Sequence, residues 1–278
     1  MPDTVVQVRS IDSIIQFHCV AEEIATSLSF LAAMPDMPYS ANRIRKLKIE
    51  RYADGFYDFA APGNGGPGTL SHMRLRAHSF LREIMLEECE NSPVMHAASV
   101  VAAGKRIVLL ADKGSGKTTL GLKCLAAGFQ VEGDEHVVVR QAEVVARPRT
   151  LRVKQGSLKE VPELAEEIVA CPAIFDWNGD LIYSFEPRTS RIKWKITPGA
   201  VDLLVFLSPN HGGLTSMKQI SKTAAFEKVI SNTFLPVAGK AAALARLHTL
   251  VAGAECSQMR VGCLNGAIIG LRDLTTTC

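Results

Sequence analysis

No stretch of the chain approaches the roughly 18 consecutive apolar residues that would argue for a membrane-spanning helix, so no membrane partner is expected. Neither sign of charge dominates: 31 Lys+Arg against 28 Asp+Glu leave +3 over 278 residues. A nucleic-acid footprint would show as clustered cations. The densest group, between Asn42 and Arg51, instead alternates cations with apolar residues and reads as the solvent face of a strand, so no nucleic-acid partner is expected. Cys-x-x-Cys spacing is absent. The seven cysteines, at 19, 89, 124, 171, 256, 263 and 278, are scattered and odd in number, which argues against both a disulfide framework and a zinc site. The opening residues, Met1 to Val6, lack the charged region followed by an apolar one that marks a secretory signal. A cytoplasmic protein with reduced, mostly buried thiols is expected. With 47% apolar residues, the chain can bury one large core and a smaller one.

What is present is a glycine-rich turn between a strand and a helix. Arg106 to Leu110 is short, apolar and β-branched-rich, like a central parallel strand. It runs into Ala111, Asp112, Lys113, Gly114, Ser115, Gly116, Lys117, Thr118 and Thr119. Glycines at 114 and 116 can take backbone angles that turn successive N–H groups inward as an anion cradle. Lys117 is then placed to reach β- and γ-phosphates and Thr118 to ligate Mg²⁺. The helix opening at Thr119 adds its positive end. The usual spacing asks for glycine at 111, where this chain has alanine; the loop survives if that position needs no positive φ. The alternative is an ordinary glycine-rich turn.

Acidic partners follow. Gly133, Asp134, Glu135 and His136 precede the strand-like Val137 to Arg140. Carboxylates at the end of a strand beside a phosphate loop can hold Mg²⁺, position a nucleophile or take its proton. Gly-Asp-Glu is also good turn chemistry. An ATP-driven motor would show a late apolar strand ending in acid, but Val201 to Leu207 ends in Ser208 and Pro209. The pair at 134 and 135 therefore carries the burden. Upstream, Pro93 to Val101 reads as a strand containing His96, either a satisfied core histidine or a member of the site.

His96 to Val100, the loop from Ala111 to Thr119, and Ala127 to Glu135 together resemble the HPr kinase/phosphorylase superfamily, in particular its HPr-kinase-related branch with an N-terminal extension. The resemblance covers about residues 94 to 155. Phosphoenolpyruvate carboxykinases, which share that fold, are more distantly similar. The resemblance implies that Lys117 and Thr118 bind phosphates and metal and that Asp134 deprotonates the acceptor hydroxyl. It also implies that Glu135 is the neighbouring metal-linked acid and that His96 lies beside the catalytic acid. Where the family often has Asp-Asp, Glu135 is one methylene longer, leaving direct and water-mediated metal contact both open. The conspicuous second glycine-rich segment of the true HPr enzymes is not found, so neither HPr nor the reverse phosphorylase reaction is implied.

The chain is expected to divide near residue 91. Residues 1–91 read as an accessory α+β module: strands at Val5–Val8 and Ile14–Val20, a helix at Glu22–Ala33, a hairpin from Ile44 to Phe59 turning at Asp54-Gly55, a flexible loop at 61–68, and an amphipathic helix from Thr69 to Glu90. Residues 92–278 read as the kinase core. Its segment from Val144 to Lys154 carries Arg147 and Arg149, candidates for phosphate or an acidic substrate, or a basic strand edge that resists sheet aggregation. Residues 157–170 read as helical, Asn178-Gly179 as a hairpin turn, 221–234 and 238–251 as helices, and 259–270 as a closing strand. His211 to Gly213 reads as a loop. Trp177 and Trp194 are either adenine platforms or core.

The sequence thus predicts an α/β fold, a P-loop kinase core of the HPr kinase/phosphoenolpyruvate carboxykinase type with a smaller N-terminal module. The expected function is transfer of the γ-phosphoryl group of ATP, with Mg²⁺, to a hydroxyl, first of all a serine of a peptide or protein. A small hydroxylated metabolite or sugar as acceptor, or a non-catalytic nucleotide sensor, are the alternatives. Homo-oligomers are compatible with such a core. Expected nucleotide contacts are Lys113, Gly114, Ser115, Gly116, Lys117, Thr118 and Thr119; expected metal contacts are Thr118, Asp134 and Glu135; expected catalytic groups are Asp134, His96 and Lys117.

Overall fold

The computed structural model describes residues 4–60, 66–112, 114–141, 143–176 and 178–276. It is a mixed α/β structure. The first region begins with β1 (Thr4–Arg9) and β2 (Ser13–Cys19), followed by helix α1 (Glu22–Ser29). Then come β3 (Arg43–Ala53), β4 (Phe56–Phe59) and helix α2 (Leu70–Glu88). The four strands form one sheet in the order β1-β2-β3-β4. Its inner face is set by strict alternation: Ser13, Ile15, Phe17 and Cys19 are buried on β2, opposite Arg43, Arg45, Leu47 and Ile49 of β3. The expected hairpin turns at Gly55, whose φ of 73° is the left-handed conformation such a turn requires. Helix α2 starts at Thr69, whose hydroxyl accepts from the His72 N–H, and buries Met73, Ala77, Leu81 and Ile84 on one face. Most of the loop expected at 61–68 lies outside the described residues.

The rest of the chain opens with β5 (Val94–Met95), β6 (Ala97–Ala102), β7 (Lys105–Leu110), α3 (Lys117–Ala126), β8 (Gln130–Gly133), β9 (Val137–Arg140), β10 (Glu143–Ala146) and β11 (Leu151–Lys154). After α4 (Ala165–Val169) come β12 (Ala173–Phe175), β13 (Leu181–Phe185), β14 (Leu203–Pro209), β15 (Ser216–Gln219), α5 (Lys222–Ser231), β16 (Thr233–Phe234), α6 (Lys240–Gly253), β17 (Glu255–Val261) and α7 (Leu264–Thr276). The main sheet runs β15-β17-β14-β7-β6-β8. Strands β7, β14 and β17 are parallel, and β6 is antiparallel to both of its neighbours, β7 and β8. It follows that β7 and β8 run the same way, so the exits of both and the entry to β6 lie along one edge.

Three expectations need correction. The single strand expected at Pro93–Val101 is two strands in two sheets: β5 pairs with β9 and β16, while β6 joins the main sheet. His96 sits at the bend between them, its N–H donating to the Asn232 carbonyl at 2.7 Å. Residues 157–170 are two short 3₁₀ turns, Gln155–Glu160 and Pro162–Leu164, before α4. Pro162 has no N–H to continue a helix, and Val161 before it leaves the helical region, with φ −136° and ψ 58°. The closing strand expected at 259–270 ends at Val261, and the chain turns into α7, where Ala267, Ile268 and Leu271 share a buried face at helical spacing.

The two regions are joined by polar contacts as well as by apolar packing. Both guanidinium nitrogens of Arg140 donate to Asp12, at 3.1 and 2.5 Å. Arg147 donates to the Leu81 carbonyl at 3.2 Å. Arg152 donates to the Phe30 carbonyl at 2.7 Å and stacks 3.8 Å from the Phe30 ring centroid. Trp194 is buried core and donates its indole N–H to the Glu132 carbonyl at 3.0 Å, while Trp177 lies outside the described residues. Below the main sheet, Glu132 is 1% exposed and accepts from Ser99, Arg106 and Thr197 at 2.7 to 3.2 Å. A buried carboxylate is tolerated only with such pairing. Among the described residues no helix is long and apolar enough to cross a membrane.

Candidate functional site

The shared sheet edge assembles the site. Residues 111 to 116 leave the end of β7, Asp134 and Glu135 leave the end of β8, and His96 stands just before β6. The register explains the meeting: Ala97 opposes Leu110, and Ser99 opposes Gly133 across a bulge. A cavity of about 410 Å³ opens there, within the range of small-molecule sites.

Gly114 and Gly116 have φ of 82° and 86°, and open space lies where a Cβ would point. Ala111 has no positive φ, which removes the need for glycine at that position. Helix α3 starts at Lys117, and among the described residues the first N–H of the helix with a partner is that of Leu120, donating to the Gly116 carbonyl at 2.9 Å. The main-chain N–H groups of Lys117, Thr118 and Thr119 are therefore the orphan donors of a helix N-terminus facing the cleft, a geometry that favours anions. The Lys117 ammonium is buried and donates to the Ala111 carbonyl at 2.5 Å. Burial lowers its pKa, with Asp134 and Asp112 acting in the opposite sense.

The Thr118 hydroxyl donates to Asp134 Oδ2 at 2.6 Å. Its proton is thereby committed, and its oxygen lone pairs are left for another partner. Burial raises the Asp134 pKa above the ordinary carboxylate value, more than the Thr118 hydroxyl, Arg149, Arg152 and His96 lower it. His96 Nδ1 lies 3.1 Å from the Glu135 carbonyl oxygen. The Glu135 carboxylate pairs with the Arg149 guanidinium. The carboxylate that the sequence offered to a metal is thus held by an arginine across the cleft.

Of the expected residues, His96, Gly114, Gly116, Lys117, Thr118, Thr119, Asp134, Glu135 and Arg149 line this one cavity. Ser115 does not; its N–H closes the turn on the Asp112 carbonyl at 3.2 Å. Lys113 lies outside the described residues. Arg147 is a correction: its guanidinium turns away from the cleft to the Leu81 carbonyl of α2. Arg152 and Lys154, from the same cation-bearing segment as Arg149, also line the cavity, as does Ser157, which had not been singled out. The signal was there in β11, where Leu151 and Val153 are buried and Arg152 and Lys154 alternate with them onto the cleft side. Lys154 pairs with Asp180 at 2.7 Å. His211 to Gly213 forms an exposed turn that is not among the lining residues.

The donor set suits a polyphosphate and a hard cation. Two glycines leave room for close approach, orphan N–H groups and Lys117 offer positive charge, and a hydroxyl and a carboxylate oxygen at 118 and 134 are hard ligands. No protein-family model matches this sequence. No curated protein is similar to it either. A solved structure, the HPr(Ser) kinase/phosphatase from Coxiella burnetii, matches at 12% identity over 66% of this chain and 99% of that chain, with a TM-score of 0.29. A score that low defines no common fold.

Proposed function

We propose that this chain is a kinase that moves the γ-phosphoryl group of ATP to a hydroxyl, with a serine of a peptide or protein as the preferred acceptor. The observation that carries the reading is the contact between Thr118 and Asp134, which brings a hard-ligand pair and a base candidate to the mouth of a glycine-rich helix N-terminus. A bound Mg–ATP would supply the transferable phosphoryl group. Gly114, Gly116 and the first N–H groups of α3 hold its phosphates, and Lys117 turns from the Ala111 carbonyl toward them. Thr118 and Asp134 offer oxygen to the metal. Asp134 takes the proton of the acceptor hydroxyl as the new oxygen–phosphorus bond forms and the bond to the leaving diphosphate breaks.

The raised pKa of Asp134 suits a group that must accept a proton. His96, beside Glu135 and close enough to act on the charge of Asp134, tunes and orients that carboxylate. Arg149 and Arg152 place positive charge opposite the loop, where charge develops on the transferring group. We place the kinase core in residues 92–278, with residues 1–91 as the accessory module.

The test is nucleotide binding by calorimetry together with transfer of labelled phosphate from ATP to pools of peptides and small hydroxylated molecules. Lys117→Met is expected to lose nucleotide binding. Asp134→Asn is expected to keep it and to lose transfer by roughly 10²-fold or more. A wild-type transfer rate in Asp134→Asn would remove the mechanism, and absence of label from every pool would leave a nucleotide sensor.

A further inference from the structure

Phe30 of the first region takes hold of a side chain in the wall of the phosphate cleft. It ends α1, where carbonyls lack an intrahelical partner. Two side chains supply the donors. Arg152 of β11 donates to the Phe30 carbonyl at 2.7 Å and Ser184 of β13 donates to it at 2.6 Å. The two are direct partners in the β11–β13 ladder, so both project from one face onto the same oxygen. Thr150, two residues before Arg152 on that face, backs the row with a 2.6 Å contact to the Ser184 hydroxyl.

The same residue grips Arg152 a second time. The guanidinium carbon lies 3.8 Å from the centroid of the Phe30 ring, which is itself only 6% exposed. The carbonyl thus fixes one terminal nitrogen and the ring fixes the plane of a side chain that otherwise has many rotamers. Among the described residues no carboxylate forms an ion pair with Arg152, whereas Arg149 has Glu135 and Lys154 has Asp180. The Arg152 Nε is buried without an acceptor. Ser184 by itself could serve the end of α1, and a helix cap needs no aromatic ring beneath it. What the ring adds is a fixed, unneutralised cation on the wall of the cavity.

We propose that Phe30 is a positioning residue for the phosphate cleft, presenting the Arg152 guanidinium to the polyphosphate through its ring and its carbonyl. The first region is then a working part of the site, and the end of α1 completes the wall that faces the glycine-rich loop. The inference deepens the kinase reading and rests on it for the effect on turnover. Its effect on Arg152 rests on the contacts alone.

The experiment follows the Arg152 side chain of the full chain by ¹H–¹⁵N NMR, with the signal assigned by its loss in Arg152→Met, beside the rate of phosphate transfer. In wild type the ring should displace the Arg152 Nε–H signal from the ordinary arginine position, and magnesium tripolyphosphate should move it again. Phe30→Leu keeps the carbonyl and removes the ring. It is expected to return the signal to the ordinary position and to slow transfer by roughly tenfold or more, with nothing further lost when it is combined with Arg152→Met. Phe30→Tyr keeps the ring and should retain both properties. Leu28→Ala, a buried change on the same helix, should lower the melting temperature and leave signal and rate alone. If Phe30→Leu fails to fold, as judged by circular dichroism, Phe30→Met takes its place. Wild-type transfer in the ringless variant, losses that add to those of Arg152→Met, or an equal loss in Leu28→Ala would overturn the proposal. If the wild type labels no acceptor, the kinase reading fails by itself and the NMR decides here: an Arg152 signal that Phe30→Leu does not move overturns the inference.

Discussion

Thr118 Oγ1 and Asp134 Oδ2 are 2.6 Å apart, the first from the opening turn of α3 and the second from the turn that leaves β8. The contact joins two segments that approach each other only because β7 and β8 run parallel with β6 between them. It also means that an ionisable group held largely out of water lies against the loop.

Asp134 should therefore oppose stability where it favours function. Its pKa is raised in the folded state, so folding is favoured while the carboxyl is protonated and loses that contribution as pH rises through the folded value. Asp134→Asn is expected to melt at a higher temperature than wild type at neutral pH. The difference should shrink as pH falls toward the ordinary value of 3.8. Thermal melts across that range check it, and a lower melting temperature for the variant at pH 7 would contradict the buried-carboxylate account.

Arg147 and Arg149 should separate stability from activity, while Arg152, which lines the cleft and also donates to the Phe30 carbonyl, should affect both. Arg147→Met removes a donor to the Leu81 carbonyl and should lower the melting temperature without altering nucleotide affinity. Arg149→Met and Arg152→Met remove cations that line the cleft and should slow phosphate transfer by roughly 10²-fold, the scale of losing one charge-stabilising donor. Melting curves beside transfer rates for all three variants decide it, and a transfer defect in Arg147→Met alone would reverse the assignment.

The Arg106–Glu132 pair beneath the sheet is 8% and 1% exposed at its side chains. Removing one partner strands a buried charge, so Arg106→Met should cost about 3–5 kcal/mol. Replacing both with methionine should restore much of that loss. Urea unfolding of the two single variants and the double variant measures the coupling. Additive losses would show that the two side chains do not act as a pair.

Acid should loosen the interface between α2 and the core. His136 is held neutral, with its pKa pushed down to about 3 by burial and by Arg147, His96 and Arg82. His78 on α2 is pushed down to about 4 by partial burial and by Arg149, Arg147, Arg152 and Arg82, but its side chain keeps an exposed face, so solvent screens its share and His136 carries most of the effect. The unfolded chain binds protons at both histidines near pH 6.5 while the folded chain does not, so stability falls as pH drops below 6.5 toward those values. Melting temperature should decline from pH 7.5 to 5, with a shallower decline in His78→Gln and His136→Gln. An unchanged slope in both would put the acid sensitivity elsewhere.

Elements with strong local signals were legible before the structure. The β3–β4 hairpin announces itself through Asp54-Gly55, and α2 through Met73, Ala77 and Ile84 at helical spacing behind a capping threonine. Signals that depend on surroundings misled. Residues 259–270 carry enough apolar side chains for a strand, but Ala267, Ile268 and Leu271 pack as one helical face against the sheet. Residues 157–170 have helical composition, yet Pro162 interrupts the main-chain ladder.

The same division runs through the site. Gly114, Gly116, Lys117 and Thr118 fall within five consecutive residues, and backbone freedom with helix polarity follows from residue type, so an anion-favouring strand–loop–helix could be read from the chain order alone. That His96 and Asp134 meet that loop, that Arg147 turns to α2 while Arg152 takes the cleft, and that Glu135 pairs with Arg149 were decided by the tertiary structure alone. The physical reason is that strand order and direction fix which chain ends share an edge. No local preference of a residue carries that information.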